Sequence, residues 1–149
     1  PMASHWYEWP FMQKAFWFFV DQTNNNLNTI SLSGNPVVWG ATTLFIILGI
    51  GFSIYCVLKR KRISEFTPLL LGSYLITFIP YVLIERPAFL YHYFPGLILA
   101  ICFLSITFGT YLERKSKKEM VLLIIIAIML IVAGFITQIK TTYGLPHIF

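Results

Sequence analysis

Between Gln22 and Leu58 the chain carries no Asp, Glu, Lys or Arg. A run of that kind cannot form a water-facing helix or sheet, because every amphipathic element needs a polar face. It has the length to cross a bilayer, since about 20 apolar residues rising about 1.5 Å each span the hydrocarbon core. Composition extends the argument to the whole chain. Hydrophobic residues make up 57% of the 149 and charged residues 11%, with a mean hydropathy of +0.72. Soluble domains carry about 25% charged residues. A soluble globular domain, a disordered tail and a fibrous protein are therefore excluded, and the expected class is an all-α integral membrane protein.

Four stretches meet the spanning requirement: about 37–58, 66–84, 94–112 and 120–139. Asn35-Pro36 precedes the first, with Asn as a cap and Pro at the first helical position. Pro68 and Pro95 fall in first turns, where proline is harmless, whereas Pro80 should kink or end the second span. The first span begins too late, and without a cleavage pattern, for a signal peptide. The chain starts at Pro1 rather than Met, which suggests a processed product or a piece of something longer.

Orientation follows from the basic residues. Lys59-Arg60-Lys61-Arg62 lies between spans one and two, and Arg114, Lys115, Lys117 and Lys118 between spans three and four. These loops hold eight of the eleven basic residues, so they are expected in the cytoplasm and both termini outside. The net charge of +5 then reflects topology and contact with anionic headgroups, and no nucleic acid partner is expected. All three histidines and all four tryptophans fall on the outer side. Aromatic belts normally occupy both interfaces, so the outer face is expected to hold the function.

Two outer segments carry the candidate residues. In 4–26 the apolar positions Phe11, Met12, Ala15, Phe16 and Phe19 suggest an amphipathic helix lying on the membrane. A polar turn over 21–28 and a short extended piece over 28–33 should follow. Residues 1–35 thus form an outer-face interfacial segment and 36–149 a four-helix transmembrane module. The second segment, 85–95, joins spans two and three. Arg86 there is read either as snorkelling to headgroups or as a fork of donors for a phosphate, with His92 and tyrosine hydroxyls beside it. Cys56 and Cys102 have no metal-ligand spacing and read as small packing residues, so no metal and no cofactor are expected. The spans lack internal ionisable groups, against a proton-coupled transporter. Glu8 and Glu85 form no recognisable catalytic pair.

Three motifs together resemble a known family: Ser4-His5-Trp6-Tyr7-Glu8-Trp9-Pro10, then Gly34-Asn35-Pro36-Val37-Val38-Trp39, then Arg86-Pro87-Ala88-Phe89-Leu90-Tyr91-His92-Tyr93-Phe94-Pro95. In order and spacing they are similar to the final four-helix membrane block of the protein O-mannosyltransferases, across essentially the whole chain. The resemblance implies part of a GT-C type glycosyltransferase. Such an enzyme moves mannose from dolichyl or bacterial polyprenyl phosphate to Ser or Thr of an acceptor protein. The implied partners are membrane lipid, that donor, the acceptor and the remainder of the enzyme. The implied location is the endoplasmic reticulum in a eukaryote or the plasma membrane in a prokaryote. The family's catalytic acidic pair lies in an earlier outer loop, so no catalytic residue is assigned here and the chain alone should be inactive. Arg86, His92 and Tyr93 are candidates for binding the lipid phosphate or holding the loops around it. His5, Trp6, Glu8, Trp9 and Asn35 form the outer-face motif. The alternative is a non-catalytic four-span scaffold or subunit that binds lipid or a partner.

Overall fold

The computed structural model describes residues 4–14, 16–23, 26–84 and 88–143. Four helices dominate: α1 Pro36–Leu58, α2 Phe66–Phe78, α3 Phe94–Leu112 and α4 Lys117–Tyr143. Single 3-10 turns at Trp6–Glu8, Ile79–Val82 and Leu90–Tyr93 punctuate them. Among the described residues three apolar helices are long enough to cross a membrane: Pro36–Leu58, Leu90–Leu112 and Lys117–Lys140. The fourth apolar helix, Phe66–Val82, is shorter. At about 1.5 Å per residue it reaches roughly 25 Å, just under the thickness of the hydrocarbon core. Pro80 accounts for its length: the regular helix stops at Phe78 and continues as a 3-10 turn with Pro at its start.

Asn35 starts α1 as its sequence context suggests. Its Oδ1 accepts from the amides of Val37 (3.0 Å) and Val38 (3.3 Å), satisfying two of the donors that a helix start leaves open. Helices α1, α2 and α3 converge at Gly49. A Cβ there would come within 2.6 Å of the Phe103 ring and 3.3 Å of Leu71. Only hydrogen at that position allows so close an approach of α3, which is how small residues hold membrane helices together. Helix α4 packs on the α1 side of this trio, against β2 and the start of α1. Gly134 marks its crossing point, where a Cβ would lie 2.5 Å from Asn35 Oδ1 and 2.9 Å from Val37 Cγ2.

The expected amphipathic helix before α1 is not formed. In its place β1 Phe16–Thr23 pairs antiparallel with β2 Asn26–Leu32, with a bulge between Trp17 and Phe19. The extended piece expected over 28–33 belongs to β2, and the expected polar turn over 21–28 is mostly paired strand. Two physical reasons decide for the hairpin. Met12 adopts a positive φ of 51°, which ends any helix begun at Pro10. Beyond it, residues 16–23 are rich in aromatic and β-branched types, which favour pairing when a partner strand is near. An isolated hairpin is marginal in water; here β2 lies against α4.

Candidate functional site

One end of the α1–α2–α3 trio is closed by an aromatic cap. Its centre is Trp9, fully buried, delivered by the Trp6–Glu8 turn. The Trp9 indole Nε1 donates to Ser4 Oγ at 2.8 Å, and its carbonyl accepts from Trp39 Nε1 at 2.7 Å. The next carbonyl, of Pro10, accepts from Thr43 Oγ1 at 2.5 Å. The carbonyls of Trp9 and Pro10 are thus tied to two side chains of α1, the Trp9 carbonyl also accepting from Met12 N at 3.1 Å. That accounting is obligatory for a buried loop. The spacing in Gly34-Asn35-Pro36-Val37-Val38-Trp39 becomes intelligible. A Cβ on Gly34 would overlap the Trp39 ring, Asn35 and Pro36 start the helix, and Trp39 reaches the Trp9 carbonyl one turn later.

The segment after 87 is fastened to the same cap. Ser4 N donates to Ala88 O at 2.9 Å in an isolated bridge. The Leu90–Tyr93 turn then presents Leu90 and Tyr93 inward, both 2% exposed. Tyr93 and Tyr74 share a hydroxyl–hydroxyl bond of 3.1 Å. Tyr93 also packs against Trp9, Trp39 and Phe78, with ring centroids 5.9–6.4 Å apart. His92 is half-buried among Trp9, Tyr81, Phe89 and Tyr91. Its Nδ1 lies 3.2 Å from Phe89 N and 3.1 Å from Phe89 O, so either tautomer finds a local bond on that side. Its Nε2 makes no hydrogen bond among the described residues, and is the one ring nitrogen left for a ligand.

Glu8 is occupied. Its Oε2 accepts from His5 N at 2.7 Å, and its Oε1 pairs with Lys14 Nζ at 3.0 Å. The His5 amide bond, aided by Lys14, holds the carboxyl below its ordinary value against the opposing effect of burial. A carboxylate held ionised by two partners makes a poor general acid and, with its proton affinity lowered and both oxygens engaged, a poor general base as well. Its geometry is that of a cap on the Trp6–Glu8 turn.

The structure therefore brings Trp9, His92 and Tyr93 into one cluster. Trp6 joins at its edge through a T-shaped contact with Phe78 at 5.9 Å. His5 is exposed and stacks on Tyr7 at 5.2 Å. Asn35 serves elsewhere: its Nδ2 donates to Ile131 O of α4 at 2.7 Å. Arg86 lies outside the described residues. Sequence reasoning quoted Ser4 only as the first residue of a motif and did not single out Thr43, Tyr74 or Gly134. Thr43 and Tyr74 were visible as polar tips inside apolar spans, the signal that could have found them. Among the described residues no group of three or more His, Cys, Asp or Glu could hold a metal.

Comparison with known proteins accounts for this arrangement. A family model described as the C-terminal four TMM region of protein-O-mannosyltransferase matches residues 1–148. The chain is 27% identical over 112 residues to protein O-mannosyltransferase 1 of Drosophila melanogaster, covering 65% of this chain and 12% of that protein. It is 26% identical over 167 aligned positions to dolichyl-phosphate-mannose–protein mannosyltransferase 1 of Candida albicans, covering 95% of this chain and 18% of that one. The chain thus spans less than a fifth of the length of these relatives. The solved S. cerevisiae protein O-mannosyltransferase Pmt1-Pmt2 complex, bound to the sugar donor, has the same fold over 98% of this chain and 22% of its own, with a TM-score of 0.72 at 24% identity. The aromatic cap, the helices below it and the match from end to end lead to one statement: this membrane chain belongs to the protein O-mannosyltransferase family, as its C-terminal four-helix region.

Proposed function

We propose that the chain works as the C-terminal membrane part of an enzyme that transfers mannose from a dolichyl or polyprenyl phosphate to Ser or Thr of an acceptor protein. Residues 1–35 are its outer-face segment and 36–149 its spanning module. The aromatic cap faces the lumen or exterior, and the basic loops face the cytoplasm. The observation that carries this reading is the Ser4–Ala88 bridge. It fastens the chain immediately after Arg86-Pro87 to a cap built from the family's own motif residues. Arg86 contributes a fork of donors to the lipid phosphate, and His92 Nε2 adds one more. Tyr93, buried and bonded to Tyr74, holds the loops in place and does not touch the donor. With Glu8 committed to His5 and Lys14, the carboxylate that accepts the hydroxyl proton comes from another part of the enzyme, so these 149 residues alone transfer no mannose.

The test is Arg86→Lys in the full-length enzyme. A charge-assisted bond to a buried group contributes about 1.5–3 kcal/mol, so kcat/KM should fall at least about tenfold. Lys140→Arg should leave it unchanged. Normal activity per folded molecule in Arg86→Lys, with less folded protein, would remove Arg86 from the binding site.

A further inference from the structure

At the other end of the trio, beneath the basic loops, α1, α2 and α3 part to leave an open cleft of about 320 Å³. Its depth is apolar, with Phe52, Leu70, Phe103 and Ile106. Thr107 and Thr110 also line it, but their hydroxyls already donate to Phe103 O (2.7 Å) and Ile106 O (2.6 Å) of their own helix. The floor therefore asks for no polar partner. The mouth does. Arg114, Ser64 and Thr67 border it, and none of their side chains makes a hydrogen bond or ion pair among the described residues. The loops 59–65 and 113–119 around this mouth carry eight basic and three acidic residues. The acidic ones are Glu65, Glu113 and Glu119, and none of them lines the cleft. Glu119 is bonded to Ser116.

We propose that this cleft holds one anionic phospholipid of the surrounding bilayer. Its phosphate sits on Arg114 with Ser64 and Thr67, and one acyl chain runs along Phe103 and Ile106. An apolar slot with an unpartnered guanidinium at its mouth matches an amphipath with a phosphate head and a hydrocarbon tail. Another apolar helix lying in the slot would leave that guanidinium and two hydroxyls without partners in a dry setting, which is costly. Arginine at the mouth suits the planar, two-point recognition of phosphate. The site lies at the opposite end of the helices from the aromatic cap and does not depend on mannose transfer.

Native mass spectrometry of the detergent-purified protein tests this, with phosphatidylglycerol and phosphatidylcholine of identical chains as probes. One phosphatidylglycerol should be retained about fivefold more than phosphatidylcholine, the preference expected of one cation at a headgroup. Arg114→Gln should abolish the preference, and Ile106→Trp, which fills the slot, should lower retention of both lipids. Lys118→Gln, an equal charge loss at a loop residue that does not line the cleft, should leave the preference largely intact. Equal retention in all variants, or equal loss in Lys118→Gln and Arg114→Gln, would overturn the proposal. A photo-crosslinking residue at position 107 in the otherwise unaltered protein gives an independent reading. A lipid adduct is expected, and a crosslink to another protein segment would refute it.

Discussion

Asn35 holds two structures at once, and the two can be separated. Its Oδ1 caps α1, and its Nδ2 ties the start of α1 to the Ile131 carbonyl of α4. Asn35→Ser keeps the cap, since serine is an equally good N-cap. It loses only the tie, and hydrogen bonds between membrane helices contribute about 0.6 and at most about 1.7 kcal/mol. Asn35→Ala loses the cap as well, a further ~0.5–2 kcal/mol. Gly134 adds the decisive arm. A methyl there meets Asn35 Oδ1 at 2.5 Å and Val37 Cγ2 at 2.9 Å, and overpacking of that kind costs about 1–3 kcal/mol. Against this, alanine is the better helix former by about 0.8–1.0 kcal/mol. Gly134→Ala alone should be mildly destabilising. In the Asn35→Ala background the shorter of the two clashes is gone and only the Val37 contact at 2.9 Å remains, so the same substitution should cost less there. Equilibrium unfolding in mixed micelles, followed by helix content, measures the four proteins. The double variant should be more stable than the sum of the singles by at least about 0.5 kcal/mol. Additivity within ~0.3–0.5 kcal/mol, the behaviour of independent sites, would show that Asn35 and Gly134 do not meet and that α4 docks elsewhere.

Trp9→Phe removes the donor to buried Ser4 Oγ, and Thr43→Val leaves the Pro10 carbonyl without its partner. Each should lower stability by about 1–3 kcal/mol in the same assay, and a loss no larger than that of an exposed substitution such as Gln13→Ala would contradict the cap. Glu8 sets a pH dependence. Because its folded pKa lies below the ordinary 4.5, its contribution is complete above about pH 4.5 and is lost as pH falls through the depressed folded value. The thermal midpoint of the protein should drop across that window relative to Glu8→Gln, and parallel curves would exclude the Lys14 and His5 contacts. For sidedness, membrane-impermeant labelling in intact cells should reach a cysteine at position 13 and fail at 60 and 116. The reverse pattern would end the assignment of the aromatic cap to the outer face.

Much of this architecture is legible in residue order because the bilayer leaves few options. Backbone polar groups in hydrocarbon must be satisfied within the segment, so a long uncharged apolar run becomes a helix. Asn35-Pro36 and Pro80 mark where two of these helices start and weaken, since capping and the missing proline amide act within a few residues. The motif residues were also recognisable as a group. Their division of labour was not, because Trp9, Tyr93, His92 and Glu8 are all aromatic or polar residues in loops and differ only in what surrounds them. Trp9 is buried by α1, the Ile79–Val82 turn and the Leu90–Tyr93 turn, whereas His5, four residues away, is exposed.

Local order by itself determined the helices, their proline-set ends and the segregation of basic residues to two loops, all consequences of interactions within a few residues or with lipid. Only the tertiary structure decided the rest. The stripe at 11–19 fits a helix as well as a strand, and the choice fell to a partner strand ten or more residues away and to the reversal at Met12. Gly49 and Gly134 look alike in the sequence to Gly40 and Gly51, but they alone of these four sit where a second helix comes within a methyl's width. Contacts between residues distant in sequence carry no local signature, so the cap, the docking of α4 on α1 and β2, and the cleft at Arg114 exist only once the helices are packed.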